Sequence, residues 1–213
     1  MPDPSIRRVA LVFAAMAVVA ACSESSSQGS TPIRDEGREV FFELPSGWTV
    51  VPESQVAALG RTPFVAQTTF TLPVVSQVVF HGPGFAFGDA AQDTAAFGSP
   101  VGSAVVRTIP EGSRDFISRY LLAELVVPYH SKPIATEHFK QDIELADGYA
   151  GVQLLISYAE TEEQVPAAVL FTVVTDPDDE RMYSIAVGCS AECFNTHGEA
   201  IAAIIDSWLV NTR

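Results

Sequence analysis

Residues 181–210 read RMYSIAVGCSAECFNTHGEAIAAIIDSWLV, and two periods meet in them. Residues 181–188 are mostly apolar and predict a strand. Thr196 and Glu199 stand at capping-box spacing, which predicts a helix entry. Ile201, Ile204, Ile205, Trp208 and Leu209 then recur at helical spacing on one face. Such a stripe has to be buried, and the expected cover is a sheet. Cys189 ends the strand and Cys193 precedes the cap.

Working back from this unit, segments 136–145, 148–159 and 166–175 also read as strands. They are joined to one another and to 181–188 by Asp147-Gly148, by ETEEQ (160–164) and by DPDDE (176–180). Short polar turns between such segments predict antiparallel hairpins. Further back, EVFFEL (39–44) and WTVV (48–51) flank the turn PSG (45–47). FVAQTTF (64–70), VVSQVVF (74–80) and GSAVVRTI (102–109) are strand-like too. Two more helices are expected. One covers 53–60, behind Pro52 and stopped by Gly60. The other covers 114–127, capped by Ser113 and stopped by Pro128, with Phe116, Ile117, Tyr120, Leu121 and Leu125 on one face. The fold class is α+β, an antiparallel β-sheet covered by helices. There is no internal repeat and no βαβ alternation.

The front of the chain has its own logic. Arg7 and Arg8 precede VALVFAAMAVVAA (9–21), which carries no charge. That run is shorter than the roughly 20 residues needed to span a bilayer, so residues 1–21 read as a signal peptide. Val19-Ala20-Ala21-Cys22 resembles the lipobox of bacterial lipoproteins. The resemblance implies cleavage before Cys22, diacylglycerol on its thiol, and a chain held to the cell membrane by acyl chains on the extracytoplasmic side. Two or more chains anchor stably where one does not. Residues 22–38 are Ser-rich with Gly and Pro, a composition that predicts a disordered tether. Residues 39–213, about 170 residues, are enough for one domain with a real core.

The net charge is −14, and Lys132 and Lys140 are the only lysines. Without a basic stripe, nucleic acid is excluded as a partner. Anionic headgroups would repel this domain, so membrane attachment is left to the acyl chains. With Cys22 lipidated, Cys189 and Cys193 form an even remainder in an exported chain, which points to a disulfide. Two other readings stay open. Cys189, Cys193 and His197 also make a C-x3-C-x3-H pattern that suits zinc, although no motif supplies the fourth ligand of a structural site. A pair of free thiols is the remaining alternative.

FFELPSGWTVVP (41–52) and the closing RMYSIAVGC…EAIAAIIDSWLV together resemble PsbP-like domains, in particular the LpqN-type lipoproteins of actinobacteria. The residues that carry this are Pro45, Gly47, Trp48, Tyr183, Ser207 and Trp208. The resemblance implies an antiparallel sheet between helices and no catalytic residues. It also implies an accessory or binding role, as in a photosystem subunit, a GTPase-binding import factor and envelope lipoproteins.

Catalytic signals are thin. VVFHGPGF (78–85) resembles the oxyanion loop of α/β hydrolases, which would make His81 the key residue of an envelope hydrolase. The matching nucleophile motif is absent, since residues 98–102 read Gly-Ser-Pro-Val-Gly. TDPDDE (175–180) offers carboxylates for a cation but lacks calcium-loop spacing, so a solvated turn is expected. His81, His130, His138 and His197 show no ligand spacing among themselves, and Trp48 and Trp208 suit a core. The expected protein is a non-enzymatic lipoprotein with no cofactor, binding a protein or a lipid. Phe85, Phe87 and Phe97, in the Phe- and Gly-rich stretch 82–100, are the expected contact surface.

Overall fold

The computed structural model describes residues 29–35, 37, 39–56, 72–85, 98–159 and 161–210. Cys22, Phe87, Phe97, the strand expected at 64–70 and the last four residues of the helix expected at 53–60 lie outside the described residues.

Among the described residues, ten strands and four α-helices follow in this order: β1 Thr31–Arg34, β2 Val40–Leu44, β3 Thr49–Val50, α1 Glu53–Val56, β4 Val74–His81, β5 Val101–Thr108, α2 Glu111–Arg114, α3 Arg119–Val126, β6 Ile134–Glu144, β7 Ala150–Ala159, β8 Ala167–Thr175, β9 Arg181–Ser190, α4 Ala191–Asp206 and β10 Leu209–Val210. The main sheet runs β3-β4-β5-β9-β8-β7-β6, and β1-β2-β10 form a small second sheet. Every pairing is antiparallel. The α+β expectation therefore holds.

Two apolar layers sandwich the main sheet. On one face Leu122, Leu125 and Val126 of α3 pack on Val152, Leu154 and Ile156 of β7 and on Val169, Phe171 and Val173 of β8. On the other, Ile201, Ile204 and Ile205 of α4 join Val40, Phe42 and Leu44 of β2, together with Tyr183, Ile185 and Val187 of β9. Each of those buried isoleucines stabilises the fold by about 1.5–3 kcal/mol relative to exposure. Covered on both faces, β8 and β9 lose the apolar–polar alternation of a half-buried strand and read as continuous apolar runs. By contrast, β6 is exposed along nearly its whole length. It guards that sheet edge with charged side chains and a bulge between Glu137 and Phe139.

Two hairpin turns share one design. Asp35 joins β1 to β2, and its Oδ1 accepts from the N–H groups of Glu39 (2.6 Å) and Val40 (2.8 Å). Asp176 joins β8 to β9, and its Oδ1 accepts from the N–H groups of Glu180 (2.6 Å) and Arg181 (3.1 Å). In each turn the aspartate also donates its own N–H to the carbonyl five residues on, at 3.2 Å. The turns meet through an ion pair between Glu39 and Arg181.

Four local expectations need correction. The helix expected at 114–127 is broken. A single turn, α2, precedes it, and Ser118 rather than Ser113 caps α3, its Oγ accepting from Leu121 N–H at 3.2 Å. Phe116 consequently falls outside the helix and is 75% exposed. The final helix begins at Ala191, its cap Ser190 lying six residues before the expected cap Thr196, with Ser190 Oγ accepting from Cys193 N–H at 3.2 Å. Thr196 lies inside it and donates its hydroxyl to Glu192 O. The helix ends at Asp206, so Trp208 and Leu209 leave the stripe: Trp208 is buried beyond the end and Leu209 opens β10. Finally, residues 31–34 of the expected tether form β1, which pairs with β2 along its full length.

Candidate functional site

A groove of about 570 Å³ follows one edge of β4. Successive residues of a strand face opposite sides of a sheet. Every residue from Val74 to Val79 lines this groove, so it runs along the strand edge and not along one face. Val50, Val51, Glu53 and Val56 also line it, as does Arg34 of β1. The edge arises because β3 is so short. It pairs with β4 only at Thr49↔His81 and Val50↔Phe80. Val51 N–H then reaches Val79 O at 2.8 Å, and the chain turns away after Pro52 into α1. Among the described residues, Val74–Val78 have β5 on one side and no strand on the other. Val74 and Val75 are 50% and 48% exposed. The Arg34 guanidinium sits 5.6 Å from the centroid of the Phe41 ring and forms no ion pair among the described residues.

A smaller pocket of about 220 Å³ lies where α2 meets α3. Leu72, Ser113, Phe116, Ile117, Leu121 and Leu125 line it. Leu72 is held there by Arg107, whose Nη1 donates to its carbonyl at 2.9 Å. Burial pulls the Arg107 pKa below the ordinary guanidinium range.

The residues singled out in the sequence do not converge on a reaction centre. His81 ends β4, has its Nδ1 2.9 Å from Gly82 O, and stacks on Phe85 with ring centroids 4.8 Å apart. Phe85 is half-buried against the α3-side core. Gly102, in the stretch tested for a nucleophile, lies inside β5, where an added Cβ would come within 2.4 Å of the Phe80 ring. His130 pairs with Glu124, while His138 Nε2 meets Ser157 Oγ at 2.8 Å. Trp48 packs on the α4-side core with Phe80 at 6.1 Å. Cys189 and Cys193 are joined by a disulfide, which ties the end of β9 to the first turn of α4. Asp176 of the acidic turn is occupied by backbone N–H groups. No group of three or more His, Cys, Asp or Glu among the described residues is placed to hold a metal ion.

Two tyrosines have strongly perturbed acidity. Burial, helped by Glu137 and by its hydrogen bond to that carboxylate, holds the Tyr129 hydroxyl well above the usual phenol range. Tyr183 is raised as well, first by burial and then by Tyr149 and Glu39. Neither tyrosine lines either recess.

Sequence reasoning missed the β4 edge and Arg34. The run VVSQVVF marked the strand, but nothing in WTVV showed that only two of its residues would pair with it.

No known family profile and no curated protein sequence matches the chain. Solved structures do. The PsbP of the cyanobacterium Synechocystis is 12% identical, covering 91% of this chain and 99% of that one, with a TM-score of 0.51. The fold is PsbP-like. LpqN of Mycobacterium tuberculosis, described as involved in cell envelope biogenesis, shares it at 14% identity, 86% and 91% coverage and a TM-score of 0.50. The Ran-binding protein Mog1p of Saccharomyces cerevisiae shares it at 8% identity, 85% and 95% coverage and a TM-score of 0.50. A PsbP-like fold is an antiparallel architecture, so the His81 loop lacks the parallel sheet that an α/β-hydrolase site is built on.

Proposed function

We propose that this chain is a lipid-anchored extracytoplasmic protein whose PsbP-like domain acts as a non-catalytic accessory or binding protein of the cell envelope. The observation that carries the reading is the joining of a PsbP-like domain to a leader whose last residues, Val19-Ala20-Ala21, directly precede Cys22. The leader accounts for export and anchoring, and acyl chains on Cys22 hold the domain to the membrane. Among the described residues no helix is long and apolar enough to cross a membrane, which agrees with anchoring through lipid. LpqN and Mog1p, named for envelope biogenesis and Ran binding, support a role exercised through partners.

The test is fractionation of cells expressing the full chain, with mass measurement of the mature N-terminal peptide. The expected result is a membrane-bound protein beginning at a diacylglyceryl-modified Cys22. Cys22→Ser should be released from membranes or remain unprocessed. Unchanged membrane attachment of a processed Cys22→Ser chain overturns the anchor assignment.

A further inference from the structure

We infer that the edge of β4 that no described strand pairs with is a docking site for an extended peptide segment of a partner protein, which adds as a strand beside Val74–Val78. The inference rests on the reading of the domain as a binding protein and is independent of the lipid anchor.

Three features select this occupant. The first is hydrogen bonding. Val79 turns its carbonyl toward the groove, where it meets Val51 N–H at 2.8 Å. Gln77, two residues earlier, points its backbone N–H and C=O the same way. No described strand stands opposite it. An extended peptide can satisfy such groups, whereas an alkyl chain would bury them unpaired. The second is the apolar wall. Val50, Val51, Val56 and Val75 offer β-branched surface to every other side chain of an incoming strand. The third is charge. Ser76 donates its hydroxyl to Asp35 Oδ2 at 2.7 Å, which fixes that side of β4 toward the small sheet, and Arg34 belongs to that sheet. In a chain of net charge −14, an arginine without an ion pair among the described residues selects a carboxylate on the incoming segment. Glu53, which also lines the groove, disfavours a second one. The partner segment therefore alternates apolar and polar residues and carries one acidic side chain on its polar face.

The far edge of the sheet makes a useful contrast. Both edges carry a bulge, between Glu137 and Phe139 in β6 and between Val74 and Ser76 in β4, but β6 also carries charges, which block strand addition. Val74–Val78 carry no charge.

The probe is a seven-residue peptide alternating valine with threonine, one threonine replaced by glutamate, titrated into the full chain by NMR. Saturable binding is expected, with slower amide exchange at Gln77. Methylating the peptide nitrogens on the pairing edge should weaken binding at least tenfold. Gln77→Pro removes an outward N–H without breaking the β5 ladder and should have the same effect. Arg34→Glu should weaken the glutamate peptide about tenfold and recover binding when that glutamate becomes lysine. Equal binding of the methylated peptide, or wild-type affinity in both variants, overturns the proposal. So does a Gln77 amide already protected in the free chain, whether by its own residues or by a second copy. If no peptide binds while the protein still crosslinks a partner in cells, the edge assignment falls and the binding-protein reading stands.

Discussion

Asp35 shows how much one carboxylate can hold when water is kept away. It is 5% exposed, and its two oxygens accept from Glu39 N–H, Val40 N–H and the Ser76 hydroxyl. It thereby closes the β1–β2 turn and pins the small sheet to β4. Asp176 makes the same two backbone contacts in a more exposed turn. Water can replace the second set but not the first. Asp35→Ala should therefore cost about 2–4 kcal/mol, because it leaves buried donors unpaired. Asp176→Ala should cost about 1 kcal/mol. Urea unfolding of both variants checks this, and equal losses would mean that burial does not set the difference. The sequence held a clue to the pair, since DEGRE (35–39) and DPDDE (176–180) share Asp and Glu at the same spacing. Only the second lies between strong strand signals. The first follows a Ser-rich stretch, so local composition hid β1.

Among the elements, the long central strands were legible and the helix ends were not. The strands β7, β8 and β9 are long, apolar and separated by turn residues, so each appears within a few residues of its expected bounds. The start of α4 was masked by two competing caps. Thr196 and Glu199 fit a capping box, but Ser190 sits where β9 ends and satisfies Cys193 N–H. The disulfide crosses the same turn, so cap and bridge fix one entry together. Replacing both cysteines by alanine should cost about 2 kcal/mol through the lost small loop. Ser190→Ala should cost about 1 kcal/mol. The triple variant should lose more than the sum, because either device alone places the first turn. A double-mutant cycle by thermal unfolding reads the coupling, and strict additivity would show that the two act separately. The end of α4 was misread for a different reason. Trp208 and Leu209 continue the helical period, but Ser207 turns the chain, its Oγ donating to Ile204 O at 2.8 Å and accepting from Glu43 N–H at 2.9 Å. That contact across 164 positions directs the chain into β10, and no local pattern encodes it.

For the whole molecule, the legible part was the layering and the illegible part was the site. Apolar runs in β8 and β9 imply cover on both faces. An open strand edge, however, is defined by what does not pair with it, and a sequence does not display that. The two layers also make a prediction about cooperativity. Tyr129 belongs to the α3-side core and Tyr183 to the α4-side core, with one sheet between them. Both hydroxyls are raised above the phenol range chiefly by burial. In the unfolded chain a tyrosine loses its proton near pH 10. Above that pH the unfolded state binds fewer protons than the folded one, so stability is full below about pH 10 and falls as pH rises further. Each tyrosine contributes a slope of at most about 1.4 kcal/mol per pH unit. If the layers unfold together, urea unfolding between pH 9 and 12 should follow one transition. Tyr129→Phe and Tyr183→Phe should then each flatten the alkaline fall by a similar amount, and the double variant should remove most of it. Two separated transitions, each sensitive to one substitution, would show instead that the sheet does not couple its faces.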